Sequence, residues 1–364
     1  MKPLAIIAAG GTGGHMFPAQ ALAETLLNRG WRVKLSTDKR GARYASGFPA
    51  AVRRVVVPSA TPARGGLLAK ILLPFRLLGG TAMMLSSLWR DRPSVVVGFG
   101  GYPTVPAMGA AVLLRLPRMI HEQNGVLGRV NELFARRVHK VACGTWPTTL
   151  PDGVEGFPAG NPVRAAIAAK AGVPYAAPEE EGPLNLLVFG GSQGASIFAR
   201  MVPQALAQVP PEMRARIQLA HQARDADRDE LARVYAALEM EVELEAFFAD
   251  MPERLEAAHL VICRSGASSV ADLTAIGRPS ILVPLAIAKR DEQSANAAPL
   301  VAAGGAFMIR EDDLTGDVLA RHTTAILSDG EGAAAMASEA AKLGRPDAAQ
   351  TLADLVETVA GQKA

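Results

Sequence analysis

The residues with the most chemistry to offer stand in short polar clusters, each close behind an apolar run. His15 follows Gly10-Gly11-Thr12-Gly13-Gly14, itself behind the apolar Leu4–Ala8. His121-Glu122-Gln123-Asn124-Gly125 follows Met119-Ile120, and Asp291-Glu292-Gln293-Ser294-Ala295-Asn296 comes after Ser280–Pro284. A histidine just past the carboxyl end of a strand, where open α/β sheets place their ligands, suits a general base because imidazole titrates near neutrality. The alternative for it is a hydrogen-bonding cap. The amides and carboxylates of the other two clusters suit the hydroxyls of a sugar, or form solvated loops; both readings stand at this point.

Glycine-rich turns add a second kind of chemistry, since they let backbone amides and a helix N-terminus approach a phosphate. Gly10–Gly14 is one such turn. Gly190-Gly191-Ser192-Gln193-Gly194, behind Leu184–Phe189, is a second, and Arg264–Ser269, behind Leu260–Cys263, resembles them. Together they point to a phosphate-bearing ligand held between two domains.

These clusters need strands and helices to position them. Strand, Gly-rich turn and helix occur twice, with predicted helices at Ala19–Asn28 and Ala195–Val209, so two Rossmann-like domains are expected. Ser94–Val97 leads in the same style to Gly98-Phe99-Gly100-Gly101-Tyr102-Pro103, and continuous Val/Ile/Leu runs of this sort read as buried parallel strands. Met1–Ala9 reads as a first strand rather than a signal peptide. Ala171–Pro183 reads as a connection, with the domain boundary near Asn161–Arg164. A last helix, about Asp347–Ala360, either closes the second domain or crosses back to the first.

Composition narrows the partners. The 364 residues suit two domains, and 49% hydrophobic with 20% charged residues excludes a disordered chain. Two cysteines, Cys143 and Cys263, give no disulfide framework and no Cys-rich metal site, which suits a reducing cytoplasm. Residues 1–164 hold 21 Lys and Arg against 7 Asp and Glu, a net +14, whereas 165–364 hold 17 against 28, a net −11. The basic half is expected to face phosphate or a membrane; aromatics at 5% argue against nucleic acid. Leu67–Trp89, interrupted by Lys70, Pro74 and Arg76, mixes large apolar and basic side chains, as either an interfacial membrane patch or a helix packed on its sheet would. His221 and His259 read as surface or packing residues, His322 as a helix position, and Asp225-Ala226-Asp227 as a solvated face. Asp38 matches the ribose acid of a nicotinamide enzyme, although Gly10–Gly14 departs from the dinucleotide spacing.

Taken jointly, Gly10–His15, Phe99–Pro103, His121–Asn124, Gly160-Asn161-Pro162-Val163-Arg164, Gly190–Gly194 and Cys263–Ala267 resemble the MurG family of bacterial N-acetylglucosaminyltransferases, over essentially the whole chain. The resemblance implies an α/β GT-B glycosyltransferase fold, two Rossmann-like domains with parallel sheets facing a central cleft. It implies an acceptor- and membrane-facing domain at 1–164, a UDP-sugar-binding domain at 165–345, and a C-terminal helix at 346–364. The implied substrates are UDP-N-acetylglucosamine and an undecaprenyl-pyrophosphoryl muramyl-pentapeptide, at the cytoplasmic face of the inner membrane, with no metal, cofactor or nucleic acid.

Carried over residue by residue, the donor contacts are Thr12, Gly13, Gly14, Asn124, Arg164, Ser192, Phe248 through its backbone, Ala267, Ser268, Ser269, Val270, Ala271, Asp272 and Gln293. His15 is the first choice of base and Glu122 the second. Two positions depart from the family pattern: Asp272 stands where Glu is usual, and Glu292 where Gln or His is common. The rival readings are a UDP-sugar epimerase of the same architecture and a nicotinamide-dependent dehydrogenase.

Overall fold

A computed structural model describes residues 2–11, 13–58, 67–191, 195–286 and 290–361; the side chains of 43, 44 and 67–72 are not described. In chain order the first elements are β1 (Leu4–Ala8), α1 (Gly13–Asn28), β2 (Arg32–Thr37), α2 (Gly41–Tyr44), β3 (Arg53–Val56) and α3 (Leu67–Arg90). They continue with β4 (Val95–Gly98), α4 (Val105–Leu113), β5 (Arg118–Glu122), α5 (Arg129–Ala135), β6 (Lys140–Cys143), β7 (Gly156–Pro158) and α6 (Ala165–Ala168). Next come β8 (Leu184–Phe189), α7 (Ser196–Leu206), α8 (Pro211–Arg214), β9 (Ile217–Gln222), α9 (Asp225–Ala237), β10 (Val242–Glu245), α10 (Met251–Ala257) and β11 (Leu260–Cys263). The chain ends with α11 (Ala267–Ile276), β12 (Ser280–Leu282), α12 (Glu292–Ala302), β13 (Ala306–Met308), α13 (Gly316–Ser328), α14 (Gly330–Lys342) and α15 (Ala348–Gly361). Two compact units result, one of residues 1–164 with 347–364 and one of residues 165–346.

In the first unit seven parallel strands run β3-β2-β1-β4-β5-β6-β7. The sequence of β1 explains its central place: every residue is apolar, so alternation feeds both faces. Ala5 and Ile7 join one core with Met16, Leu22 and Leu26 of α1, while Leu4, Ile6 and Ala8 join the other with Met84 and Leu88 of α3 and Met108 of α4. The first core is completed by α15, whose Leu352, Val356 and Val359 are fully buried. Arg29 pairs with Asp354 and Glu357, and the Trp31 indole N–H donates to Glu357 at 3.2 Å, which fixes α15 along α1. Leu352→Ala should therefore cost roughly 2–5 kcal/mol of stability, read by urea denaturation; a loss well under 1 kcal/mol would mean that α15 is not part of this core.

One helix departs from its sequence reading. The one expected from Ala19 begins at Gly13 and contains Pro18. Pro18 withholds one amide, and the carbonyl it would have met is that of Gly14, an exposed residue of the first turn, where the missing bond costs little. The stretch read as a membrane patch or a packed helix is α3, 24 residues that run through Pro74.

The second unit carries six parallel strands, ordered β10-β9-β8-β11-β12-β13. Leu184, Leu186 and Val188 of β8 share a core with Phe198, Val202 and Leu206 of α7 and Leu319 of α13. His221, expected at the surface or in packing, is buried within it at 1% exposure, and its Nδ1 meets the Tyr235 hydroxyl at 2.9 Å. In both sheets the strand order reverses beside the first strand, β1 or β8. Such a switch point opens a crevice at the carboxyl ends of the strands, and the Gly-rich turns stand there.

Candidate active site

At the first switch point the loop after β1 meets the loop after β4. Gly10 allows that meeting, because a Cβ on it would lie 2.8 Å from Pro103. His15, on the first turn of α1, gives its Nδ1 proton to the Gly10 carbonyl oxygen at 3.2 Å, which makes Nε2 the basic nitrogen. Burial lowers the His15 pKa below the ordinary 6.5, with the Glu122 charge and the Gly10 bond opposing in part, so the ring is neutral and basic at pH 7. Gly100 adopts φ +90, and a Cβ there would come within 3.4 Å of His15 Nε2 and 3.2 Å of Asn131 Nδ2. The imidazole edge and the Asn131 amide thus converge over a residue that must be glycine.

Glu122, the last residue of β5, is buried at 2% exposure and fully committed. Oε1 accepts from the Asn124 backbone N–H (3.1 Å) and Nδ2 (2.9 Å); Oε2 accepts from the Gly128 N–H (2.8 Å) and Asn131 Nδ2 (2.9 Å). Four donors fill a carboxylate, so a substrate hydroxyl would have to displace one of them to use it as a base. Its geometry is that of an anchor for the 122–128 turn. His121 is equally committed: Nε2–H donates to the Gly160 carbonyl at 3.0 Å, Nδ1 accepts from Gln123 Nε2 at 3.0 Å, and burial pushes its pKa down to about 4. It ties β5 to the Gly160–Arg164 segment, where the Arg164 guanidinium lies over the Phe17 ring, 5.7 Å from its centroid. Asp38 accepts the Gly41 N–H at 2.8 Å and pairs with Arg40 at 3.6 Å, which engages the acid a dehydrogenase would give to a ribose.

In the second unit Gly266 caps α11, whose first residues, Ala267 to Asp272, are half-buried. The hydroxyls of Ser265 and Ser268 are buried with no partner among the described residues, a costly state that a ligand oxygen would relieve. Gln222 donates to the Ala246 carbonyl at 3.0 Å and accepts the Gly190 N–H at 3.0 Å, so the glycine turn after β8 is tied to the loop that carries Phe248. Phe248 is buried under the Arg254 guanidinium, 4.2 Å from its ring centroid. Gln293, on the first turn of α12, accepts the Leu285 N–H at 3.0 Å.

Gly13, Gly14, His15, Glu122, Asn124 and Arg164 thus belong to the first unit, and Phe248, Ala267 to Asp272 and Gln293 to the second. Thr12 and Ser192 lie outside the described residues, as do Gln193 and Gly194. Two site residues escape a reading by sequence. Asn131 sits between Val130 and Glu132 on α5, where an exposed polar position is the natural reading, and nothing in its spacing signals its burial. Glu311 hides in the acidic run Glu311-Asp312-Asp313, which looks like a solvated turn. Among the described residues no group of three or more His, Cys, Asp or Glu side chains is arranged to hold a metal ion.

Comparison with known proteins agrees over both units. Residues 5–143 match the glycosyltransferase family 28 N-terminal domain and residues 185–352 its C-terminal domain. A relative from Rhodopseudomonas palustris (strain BisA53) is 48% identical over 99% of this chain and 96% of its own length. One from Caulobacter vibrioides (strain NA1000 / CB15N) is 47% identical over 99% and 100%. Both are named UDP-N-acetylglucosamine--N-acetylmuramyl-(pentapeptide) pyrophosphoryl-undecaprenol N-acetylglucosamine transferase. The crystal structure of Acinetobacter baumannii MurG superposes with a TM-score of 0.80 at 28% identity, covering 98% of this chain and 99% of that one. The calicheamicin glycosyltransferase CalG4 shares the fold alone, with a TM-score of 0.65 at 16% identity over 100% and 99%. The two parallel sheets are therefore the paired Rossmann-like units of a GT-B glycosyltransferase, and the chain belongs to glycosyltransferase family 28, within the MurG family.

Proposed function

We propose that this chain moves N-acetylglucosamine from UDP-N-acetylglucosamine to the 4-hydroxyl of the muramyl residue of undecaprenyl-pyrophosphoryl-MurNAc-pentapeptide, with inversion at the anomeric carbon. The observation that carries the reading is end-to-end identity of 48% to a relative named for this transfer. In the reaction His15 Nε2 takes the acceptor hydroxyl proton as the oxygen bonds to the anomeric carbon, and the bond from that carbon to the UDP oxygen breaks. Negative charge on the departing diphosphate is met by amide N–H groups at the start of α11 and after β8, with Ser192, Ser268 and Ser269 as hydroxyl donors, so no metal ion is called for. Gln293 and Asn124 serve the sugar, Arg164 the donor, and the Phe248 backbone the uracil. Glu122 holds the turn that carries Asn124 and supports charge on His15.

The deciding experiment is UDP release with and without the lipid-linked acceptor, in EDTA. Turnover that needs the acceptor and survives EDTA is expected. Loss of N-acetylglucosamine from the donor pool without acceptor would favour an epimerase, and restoration by magnesium would require a metal-assisted mechanism.

The acceptor's polyprenyl tail stays in a bilayer, so the protein works at the cytoplasmic membrane face, bound peripherally. No described helix is long and apolar enough to cross a membrane. On α3 Phe75, Leu78 and Trp89 are 67%, 66% and 77% exposed, and Leu113 of the adjoining α4 is 65% exposed, among exposed Arg76, Arg90 and Arg115. Apolar insertion with cationic attraction of about 1 kcal/mol per basic residue gives salt-sensitive binding. Arg76→Glu with Arg90→Glu should reduce cosedimentation with anionic vesicles at least tenfold and leave UDP binding intact. Equal binding of both proteins to neutral and anionic vesicles would place the membrane contact elsewhere.

A further inference from the structure

One carboxylate of the second unit has no place in the reaction just described, yet it touches both segments proposed to hold the donor. Glu311 lies in a short turn after β13, partly buried. Its Oε2 accepts from Arg264 Nη1 at 2.9 Å and from the Ala286 N–H at 3.1 Å. Arg264 itself is 7% exposed, stacks over Phe198 at 5.5 Å, and donates through Nη1 to the Val283 and Pro284 carbonyls at 3.2 and 3.1 Å. Burial alone would raise the Glu311 pKa, but the bonds from Arg264 and Ala286, with the charges of Arg264 and Arg200, outweigh it and hold the carboxyl below its ordinary value.

The consequence reaches Gln293 through a single peptide. Ala286 is fixed by Glu311, and its neighbour Leu285 gives its N–H to Gln293 Oε1. With Oε1 so engaged, Nε2 is the end of that amide that donates to a sugar oxygen. Arg264 meanwhile stands two residues before the Gly266 cap of α11. A buried guanidinium without a counter-charge is costly and relaxes toward water, so removing Glu311 would disturb the β12–α12 loop and the approach to α11 together.

We infer that Glu311 is a positioning residue for the donor: by clamping Arg264 and the Ala286 amide it fixes the orientation of Gln293 and the entry to α11. The inference rests on the proposed donor site and is tested beside it, with wild type, Glu311→Ala and Glu311→Gln compared by steady-state kinetics and by calorimetric UDP binding. Glu311→Ala should raise the donor KM about tenfold and weaken UDP binding, with kcat and acceptor KM within about twofold of wild type. Glu311→Gln keeps an acceptor oxygen without the charge, and should recover most of the loss, to within about threefold of wild type. An unchanged donor KM and UDP affinity in a folded Glu311→Ala protein, or equal changes in kcat and both KM values tracking a lowered melting temperature, would overturn the inference. Should the alanine variant not fold, Glu311→Leu, which fills similar space with neither charge nor acceptor oxygen, decides, and a donor KM and UDP affinity equal to wild type in it overturn the clamp. A wild-type chain that binds no UDP sinks the donor-site reading and the clamp together, whereas normal wild-type binding with unaffected variants sinks the clamp alone.

Discussion

His15→Ala should lower kcat by roughly 10²–10⁴-fold, the usual worth of a positioned general base, while UDP affinity stays near wild type. The pH profile gives the sharper readout. His15 acts as a base only when neutral, and burial holds its pKa below the ordinary 6.5, with the Glu122 charge and the Gly10 carbonyl pulling back in part. Wild-type kcat/KM should therefore fall toward acid pH as the ring is protonated, with the midpoint of that limb below the ordinary imidazole value. In the alanine variant that falling limb should vanish along with most of the rate. Near-full turnover in His15→Ala, or an acid limb identical to wild type, would remove the imidazole from proton transfer and leave it as the cap of the Gly10 turn.

Much of the frame that carries His15 is legible in the sequence because it rests on local signals. Leu4–Ala8 is uniformly apolar, and that alone asks for a strand buried on both faces; the glycines behind it supply the turn and the helix start. The same grammar at Leu184 yields the second sheet. What the sequence does not announce depends on distant partners or on how the chain ends an element. Pro18 reads as a helix boundary, yet α1 begins five residues before it, because one missing amide costs little where the facing carbonyl is solvated. His221 reads as a surface or packing residue, and only the fold places Tyr235 against its ring. Glu122 reads as a second base because a carboxylate beside a histidine always invites that role. Three of the residues whose groups fill it, Asn124, Gly128 and Asn131, lie two to nine positions away, on a turn and a helix whose arrangement no spacing rule announces.

That difference makes Glu122→Gln the companion to the histidine test. An amide offers one oxygen where the carboxylate offers two, so either the Asn124 pair of donors or the Gly128 and Asn131 pair must face an NH2 group instead of an acceptor. Each buried donor so orphaned costs about 1–3 kcal/mol, and urea denaturation of the first unit should show it. Turnover should fall by roughly 10–100-fold, because the 122–128 turn loosens and the positive charge arriving on His15 loses its nearby counter-charge. The acid limb separates the two roles of the carboxylate. Glu122 raises the His15 pKa through its charge, so removing that charge should move the limb to still lower pH without abolishing it. If Glu122 were instead the base, the limb would disappear in Glu122→Gln and persist in His15→Ala. The two variants thus predict opposite patterns for the two assignments, and an anchor that works through charge and hydrogen bonds is distinguished from a base by the survival of one titration.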